Sequence, residues 1–183
     1  MGNDDYPYRD AGVDRSDPWG FLTRECTSFA AWRVQHDLGV RDFGNHYRGG
    51  RFGDARNWAV NAHRIGLTVD GTPARHAIAV FAPGVEGAGG YGHVAMVLSV
   101  GAGTVTVEDY NYQDAWNDDR PYRYSQHTVA VRRLSFIHFA QADRSVPIRG
   151  NGAAEKTTST ATSKYSAIFN ARKRLGLYSP RSR

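Results

Sequence analysis

After Pro73 the sequence changes period, and that change constrains the fold more than any other feature. Downstream, "HAIAVFA", "HVAMVLSV", "TVTVEDYNY" and "HTVAVRRLSFIHF" are short runs rich in apolar and β-branched residues, separated by "PGVEGAGGYG", "GAG" and "QDAWNDDRPY". Runs bounded in this way by glycine, proline and aspartate read as strands joined by turns. Upstream, two segments carry 3–4 spacing instead. "SFAAWRVQHDLGV" sets Phe29, Trp32, Arg33 and His36 at helical intervals, with Thr27 or Ser28 as the expected cap and Gly39 as the stop. "DARNWAVNAHRIG" places Trp58, Ala62 and Ile65 on one face and Gly66 just past the end. Two helices followed by a meander of four or five strands is a segregated order. It predicts an α+β domain with N-terminal helices packed on an antiparallel β-sheet, not an alternating parallel one.

This pattern stops after Phe139. Residues 1–140 are expected to form one domain, long enough to hold a sizeable core. Residues 141–163 are poor in large apolar side chains and rich in Thr, Ser, Gly and Ala, as a flexible linker is. Residues 164–183 form a basic tail in which Tyr165, Ile168, Phe169 and Arg172 have the spacing of a short amphipathic helix. Charge follows the same boundary. From Gln141 onward nine Lys or Arg face two acids, so the tail carries +7 and the body −2 of the net +5. A basic tail suits nucleic acid, other polyanions or solubility alone, and the near-neutral body argues against nucleic acid as a partner. No apolar run reaches the roughly 20 residues of a membrane span. The opening "MGNDDYPYRD" has neither the basic nor the apolar region of a secretory signal.

The single cysteine, Cys26, excludes an internal disulfide framework and any multi-cysteine zinc site. A lone thiol at a helix start is either a small buried hydrophobe or a nucleophile. Unpaired backbone N–H groups and the positive end of the helix dipole lower a thiol pKa from about 8.5 and can also hold an oxyanion. A nucleophile needs a base, and seven histidines compete. His36 and His63 fall on helices, His46 in a Gly-rich loop, His127 and His138 in the last strands. His93 differs: it follows "GAGGYG" and opens the strand "HVAMVLSV". In "TVTVEDYNY", alternation puts Val105, Val107, Asp109 and Asn111 on one face and Thr104, Thr106, Glu108 and Tyr110 on the other. A hairpin around Gly101-Ala102-Gly103, with Val100 opposite Thr104, sets Asn111 across from His93 and Asp109 diagonally within reach. Glu108 is expected to be solvated or paired on the opposite face. Trp19, Tyr91, Tyr110 and Trp116 are candidates to line a groove, while Trp32 and Trp58 read as core.

Taken in order, "DDYPY", "DPWGFLTRECTSFAAWRV", "GDARNWAVNA", "AIAVFAPG", "GYGHVAMV", "VTVEDYNY" and "FIHF" resemble the CHAP family, the cysteine, histidine-dependent amidohydrolase/peptidase domains, and especially its actinobacterial members. The resemblance implies a papain-like α+β fold with the nucleophile at a helix N-terminus. It implies hydrolysis of amide bonds in peptidoglycan, as an N-acetylmuramoyl-L-alanine amidase or as a stem-peptide or cross-bridge endopeptidase. By position, Cys26 matches the nucleophile, His93 the base, and Asp109 and Asn111 the acidic and amide residues that orient the histidine. Two departures stand out. Many members have glutamate where Asp109 stands, so a closer strand or a shared role for Asn111 is implied. The residue before the nucleophile is often glutamine, a possible oxyanion donor, whereas an ionised Glu25 only accepts. Asp10, Asp14 and Asp17 do not reproduce the spacing of the calcium loop some members carry, and no metal or other cofactor is expected. An extracellular or cell-wall location fits the resemblance; the charge of the tail suits contact with anionic wall polymers, and the oligomeric state is left open, with a monomer favoured. Another thiol amidase, acyl-transfer or toxin activity off the wall, and an inactive wall-binding domain, are the alternatives.

Overall fold

The computed structural model describes residues 4–112 and 121–139. All of them lie in Met1–Asp143, the first of the two units into which the chain divides, the second being Arg144–Arg183. The expected linker, the expected tail helix and Trp116 lie outside the described residues. Among the described residues no helix is long and apolar enough to cross a membrane.

Helix α1 spans Cys26–His36, so it starts earlier than a Thr27 or Ser28 cap would allow. Glu25 is the capping residue, in extended conformation and without a side-chain cap bond. Ser28 is unavailable as a cap because its hydroxyl donates to Asp17 Oδ2 and contacts the Tyr6 hydroxyl inside the protein. The helix closes as foreseen, with Gly39 at φ +72° beyond its last turn. Residues Cys26 to Val34 are all buried. The sheet covers α1, and Tyr6 packs against Phe29 and Trp32 of the helix and against Tyr110. The second helical segment is a 3-10 turn, Ala55–Asn57, running into α2, Trp58–Arg64, with Gly66 at φ +86° after it.

Six strands follow: β1 Thr68–Asp70, β2 Ile78–Phe81, β3 His93–Val100, β4 Thr104–Tyr110, β5 Tyr124–Ala130 and β6 Ser135–His138. They form one antiparallel sheet in the order β1-β6-β2-β3-β4-β5. The α+β class is as expected, but the strand path corrects the simple meander. Strand β1 is too short for its alternation to stand out. "HTVAVRRLSFIHF" is two strands, parted at the exposed pair Arg132-Arg133, where Arg133 has φ +73°. Strand β6 then inserts between β1 and β2. Its Phe136 and Ile137 are adjacent and both buried, as a strand covered on both faces requires. Edge strand β5 alternates instead.

The sheet has two apolar faces. Ile78, Val80, Val94, Met96 and Ile137 meet α1 and α2. Ala79, Phe81, Ala95, Val97, Val105, Val107 and Phe136 face the other way, where Val85, Ala88 and Leu134 cover them. The β3–β4 hairpin departs locally from the expected register. Val100 pairs with Val105, not Thr104, and a bulge between Val97 and Ser99 restores the expected pairing of Val97 with Val107 and Met96 with Glu108. Extended one residue, that register sets Asp109 across from Ala95 and so diagonally across from His93.

Candidate active site

Strand parity carries Asp109 into the interior on the side of Val105 and Val107, where it is fully buried. A carboxylate there needs partners. His93 Nε2–H donates to Asp109 Oδ2 at 2.9 Å, and Ser125, paired with Asp109 across the β4–β5 ladder, donates its hydroxyl to Oδ1. His127 Nε2 lies 3.6 Å from Oδ2, and its ring stacks on Tyr112 at 3.9 Å between centroids. Neither Ser125 nor His127 was singled out as a site residue. The signal was there: in "YSQHTVA" the positions of Ser125, His127 and Val129 alternate onto one face, opposite Asp109, Val107 and Val105.

The other end of the histidine meets the thiol. Cys26 is buried at the first position of α1, and its side chain hydrogen-bonds His93. Since Nε2 is committed to Asp109, Nδ1 is the ring nitrogen left for sulfur. The first-turn N–H groups of α1 have no acceptor within the helix, so the thiol sits where anionic charge is favoured. His93 itself is 4% exposed. Burial pushes its pKa down, but the negative charges of Cys26 and Asp109, with the hydrogen bonds to both, outweigh that and raise it from 6.5 to about 10. The arrangement therefore favours the protonated imidazole, held between the Cys26 sulfur and the Asp109 carboxylate.

Cys26, His93 and Asp109 lie together; Asn111 is turned away from them. The ladder ends at Tyr110, and Asn111 turns out of it with φ +57°. Its Nδ2 donates to Glu25 Oε2 at 3.0 Å, and its Oδ1 accepts from the Tyr122 N–H at 2.9 Å. Of the aromatics proposed for a groove, Tyr110 is a buried neighbour of Tyr6 and Phe29, and Trp19 is half-buried against Tyr8. Among the described candidates Tyr91 alone stands out, 70% exposed, two residues before His93. Asp17 spends its carboxylate on the Trp19 and Phe21 N–H groups and on Ser28, shaping the turn ahead of the nucleophile.

The CHAP domain family matches residues 16–111, just over half of the 183. The chain belongs to the CHAP family. The matched segment holds Cys26, His93, Asp109 and Asn111 together. Two similar relatives are the Staphylococcal secretory antigen ssaA2 of Staphylococcus aureus (strain NCTC 8325 / PS 47) and the Staphylococcal secretory antigen SsaA of Staphylococcus epidermidis. The first is 45% identical over 93 residues, covering 50% of this chain and 29% of that protein. The second is 42% identical over 93 residues, covering 50% and 30%. The chain thus spans under a third of the length of these relatives. A similar solved structure is the N-acetylmuramoyl-L-alanine amidase from Staphylococcus aureus, at 30% identity and TM-score 0.48, over 62% of this chain and 29% of that one.

Proposed function

We propose that this CHAP domain is a thiol hydrolase of amide bonds in peptidoglycan, acting as an N-acetylmuramoyl-L-alanine amidase or an endopeptidase. The observation that carries the reading is the buried line from Cys26 at the start of α1 through His93 to Asp109. Cys26, as thiolate, attacks the amide carbonyl carbon. The charge that develops on the carbonyl oxygen is met by the first-turn N–H groups of α1. The carbon–nitrogen bond breaks as the protonated His93 gives its proton to the departing amine, leaving an acyl thioester. Water, losing a proton to the now neutral imidazole, adds to the thioester carbonyl and releases the carboxylic acid and the thiolate. Asp109 keeps Nε2 protonated and the ring turned toward the sulfur. No step calls for a metal ion.

The names of the relatives as secretory antigens support action outside the cell. There the basic tail would meet anionic wall polymers, and the exposed Tyr91, two residues before His93, would offer its ring to the substrate. The test is digestion of purified cell wall, with mass analysis of the fragments. Wild-type protein releases new amino ends matched by lactyl carboxylates for an amidase or peptide carboxylates for an endopeptidase, and Cys26→Ala releases none while its stability stays within about 1–2 kcal/mol of wild type. Lysis by the pure alanine variant would end the thiol mechanism.

A further inference from the structure

Arg24 and Glu25, the two residues ahead of the nucleophile, are tied to the loop end of the β4–β5 hairpin by a ring of hydrogen bonds. Arg24 Nε donates to the Tyr122 carbonyl at 3.0 Å. The Tyr122 N–H donates to Asn111 Oδ1 at 2.9 Å, and Asn111 Nδ2 donates to Glu25 Oε2 at 3.0 Å. The orientation of the carboxamide is set by its partners, because a flipped amide would turn an N–H toward the Tyr122 N–H and an oxygen toward a carboxylate. Three of the eight described non-glycine residues with positive φ lie in this ring: Arg24 at +65°, Asn111 at +57° and Tyr122 at +61°. Such conformations persist where the surroundings over-determine them. Arg24 is held further by its backbone N–H on the Tyr6 hydroxyl at 3.2 Å and by Nη1 on the Ala11 carbonyl at 3.3 Å. Asn111 is held by its own N–H on the Arg123 carbonyl at 3.0 Å.

His93, by contrast, has its hydrogen bonds with Asp109 and Cys26. We infer that Asn111 is a positioning residue for the nucleophile turn: through Glu25 it fixes the first-turn N–H groups of α1 that receive the oxyanion, and it does not act by orienting His93. A carboxylate beside a developing oxyanion would repel it. Binding one of its oxygens to Asn111 keeps Glu25 turned toward the hairpin while its backbone sets the start of the helix.

The inference rests on the proposed role of Cys26, but its test needs no wall substrate. Two probes of the full chain separate the two roles. Iodoacetamide alkylates the thiolate without forming an oxyanion. N-acetylalaninal adds reversibly to it, the sulfur bonding to the aldehyde carbon while the carbonyl oxygen takes the charge. In Asn111→Ala the pH profile of alkylation should match wild type, because His93 keeps both partners, while the aldehyde should bind about tenfold more weakly, the scale for loss of a hydrogen bond to a charged group. Glu25→Ala should weaken the aldehyde similarly, and the double variant should be no worse than Asn111→Ala. Glu25→Gln, which keeps a carbonyl acceptor for Asn111, should bind it at least as tightly as wild type. Should Asn111→Ala fail to fold, the comparison of Glu25→Ala with Glu25→Gln carries the same contrast. A shifted alkylation profile in Asn111→Ala would assign the residue to His93 and overturn the inference. So would unchanged aldehyde affinity in Asn111→Ala and Glu25→Ala, or additive losses in the double variant. Failure of wall digestion alone would strike the proposed function and leave this contrast standing.

Discussion

Glu108 and Asp109 are neighbours on one strand, both carboxylates and both buried, yet they belong to different parts of the molecule. Glu108 faces α1. Its Oε1 lies 2.7 Å from Arg33 Nε, and its Oε2 accepts from Arg33 Nη2 at 3.0 Å and from the Tyr124 hydroxyl at 2.8 Å. Arg33 also reaches Asp5 at 3.1 Å and Asp37 at 3.4 Å, and its guanidinium lies over the rings of Trp32 and Phe29. Asp109 faces away from the helix and pairs with His93. Burial does not separate the two carboxylates; the partner does. A guanidinium stays charged throughout the working pH range, so the Glu108 pair joins α1 to β4 and β5 and can pass no proton on. An imidazole can gain and lose its proton, and the line from Asp109 ends on a thiol.

The largest expected effect that would break this contrast is on rate. Asp109→Ala should slow amide hydrolysis by at least about 10²-fold, the scale of a positioned acid–base partner, because His93 loses both its tautomer and its orientation. Asp109→Asn separates charge from shape. In the wild type the imidazolium is favoured up to about pH 10, since attraction to Cys26 and Asp109 outweighs desolvation; the stability this adds to the fold is full below the free value of 6.5 and is lost as pH rises through 10, where the imidazolium itself is lost. Removing the Asp109 charge takes away one of the raising causes. The alkaline limb of activity, followed with a soluble amide substrate, should therefore move to lower pH. A limb that stays in place would leave Cys26 as the sole source of the shift.

Glu108→Ala should show the opposite balance. It strands Arg33 beside the remaining acids in a site with little water, a change that costs about 3 to 5 kcal/mol when a buried pair loses one member. The melting temperature should fall clearly, while the rate per folded molecule stays within a few-fold of wild type, because no atom of the Cys26–His93–Asp109 line is touched. A crippled rate in well-folded Glu108→Ala protein would mean that the α1–β4 joint sets the geometry of the thiol as well as the stability of the fold.

Much of this contrast was legible in the sequence because it depends on parity. Val105 and Val107 had to face a core, so Asp109 followed them and Glu108 did not. Helix order and the Gly39 and Gly66 stops were legible for a similar local reason: positive φ suits glycine. What escaped depends on long-range partners. That Glu108 would be buried follows from Arg33, 75 residues away, and from α1 lying on its face of the sheet. The β6 crossover was hidden because "HTVAVRRLSFIHF" reads as continuous strand, and only the lateral order shows where Phe136 and Ile137 are covered. Asn111 was carried by the same parity as Asp109, but the strand ends one residue earlier and its left-handed backbone breaks the alternation. Alternation holds only as far as the ladder does.

The smallest effect is the one that tests orientation alone. Ser125 sits opposite Asp109 in the β4–β5 ladder, and its hydroxyl donates to Oδ1, the carboxylate oxygen that His93 does not use. With Oδ1 held by Ser125 and Oδ2 by His93, the plane of the carboxylate is fixed, and through it the plane of the imidazole. Ser125→Ala leaves the Asp109 charge in place and removes one of these two constraints. The alkaline limb should stay where it is in wild type, because the charges acting on His93 are unchanged, while kcat falls by roughly 3- to 10-fold, the range expected when a hydrogen bond to a charged group is lost in part to rearrangement. Ser125→Thr, which restores a hydroxyl at the same Cβ on a strand that tolerates β-branching, should recover most of the rate. A limb that moves in Ser125→Ala would show that the hydroxyl tunes the charge on Asp109 instead of its direction. A rate equal to wild type would show that the ladder holds Asp109 in place without it.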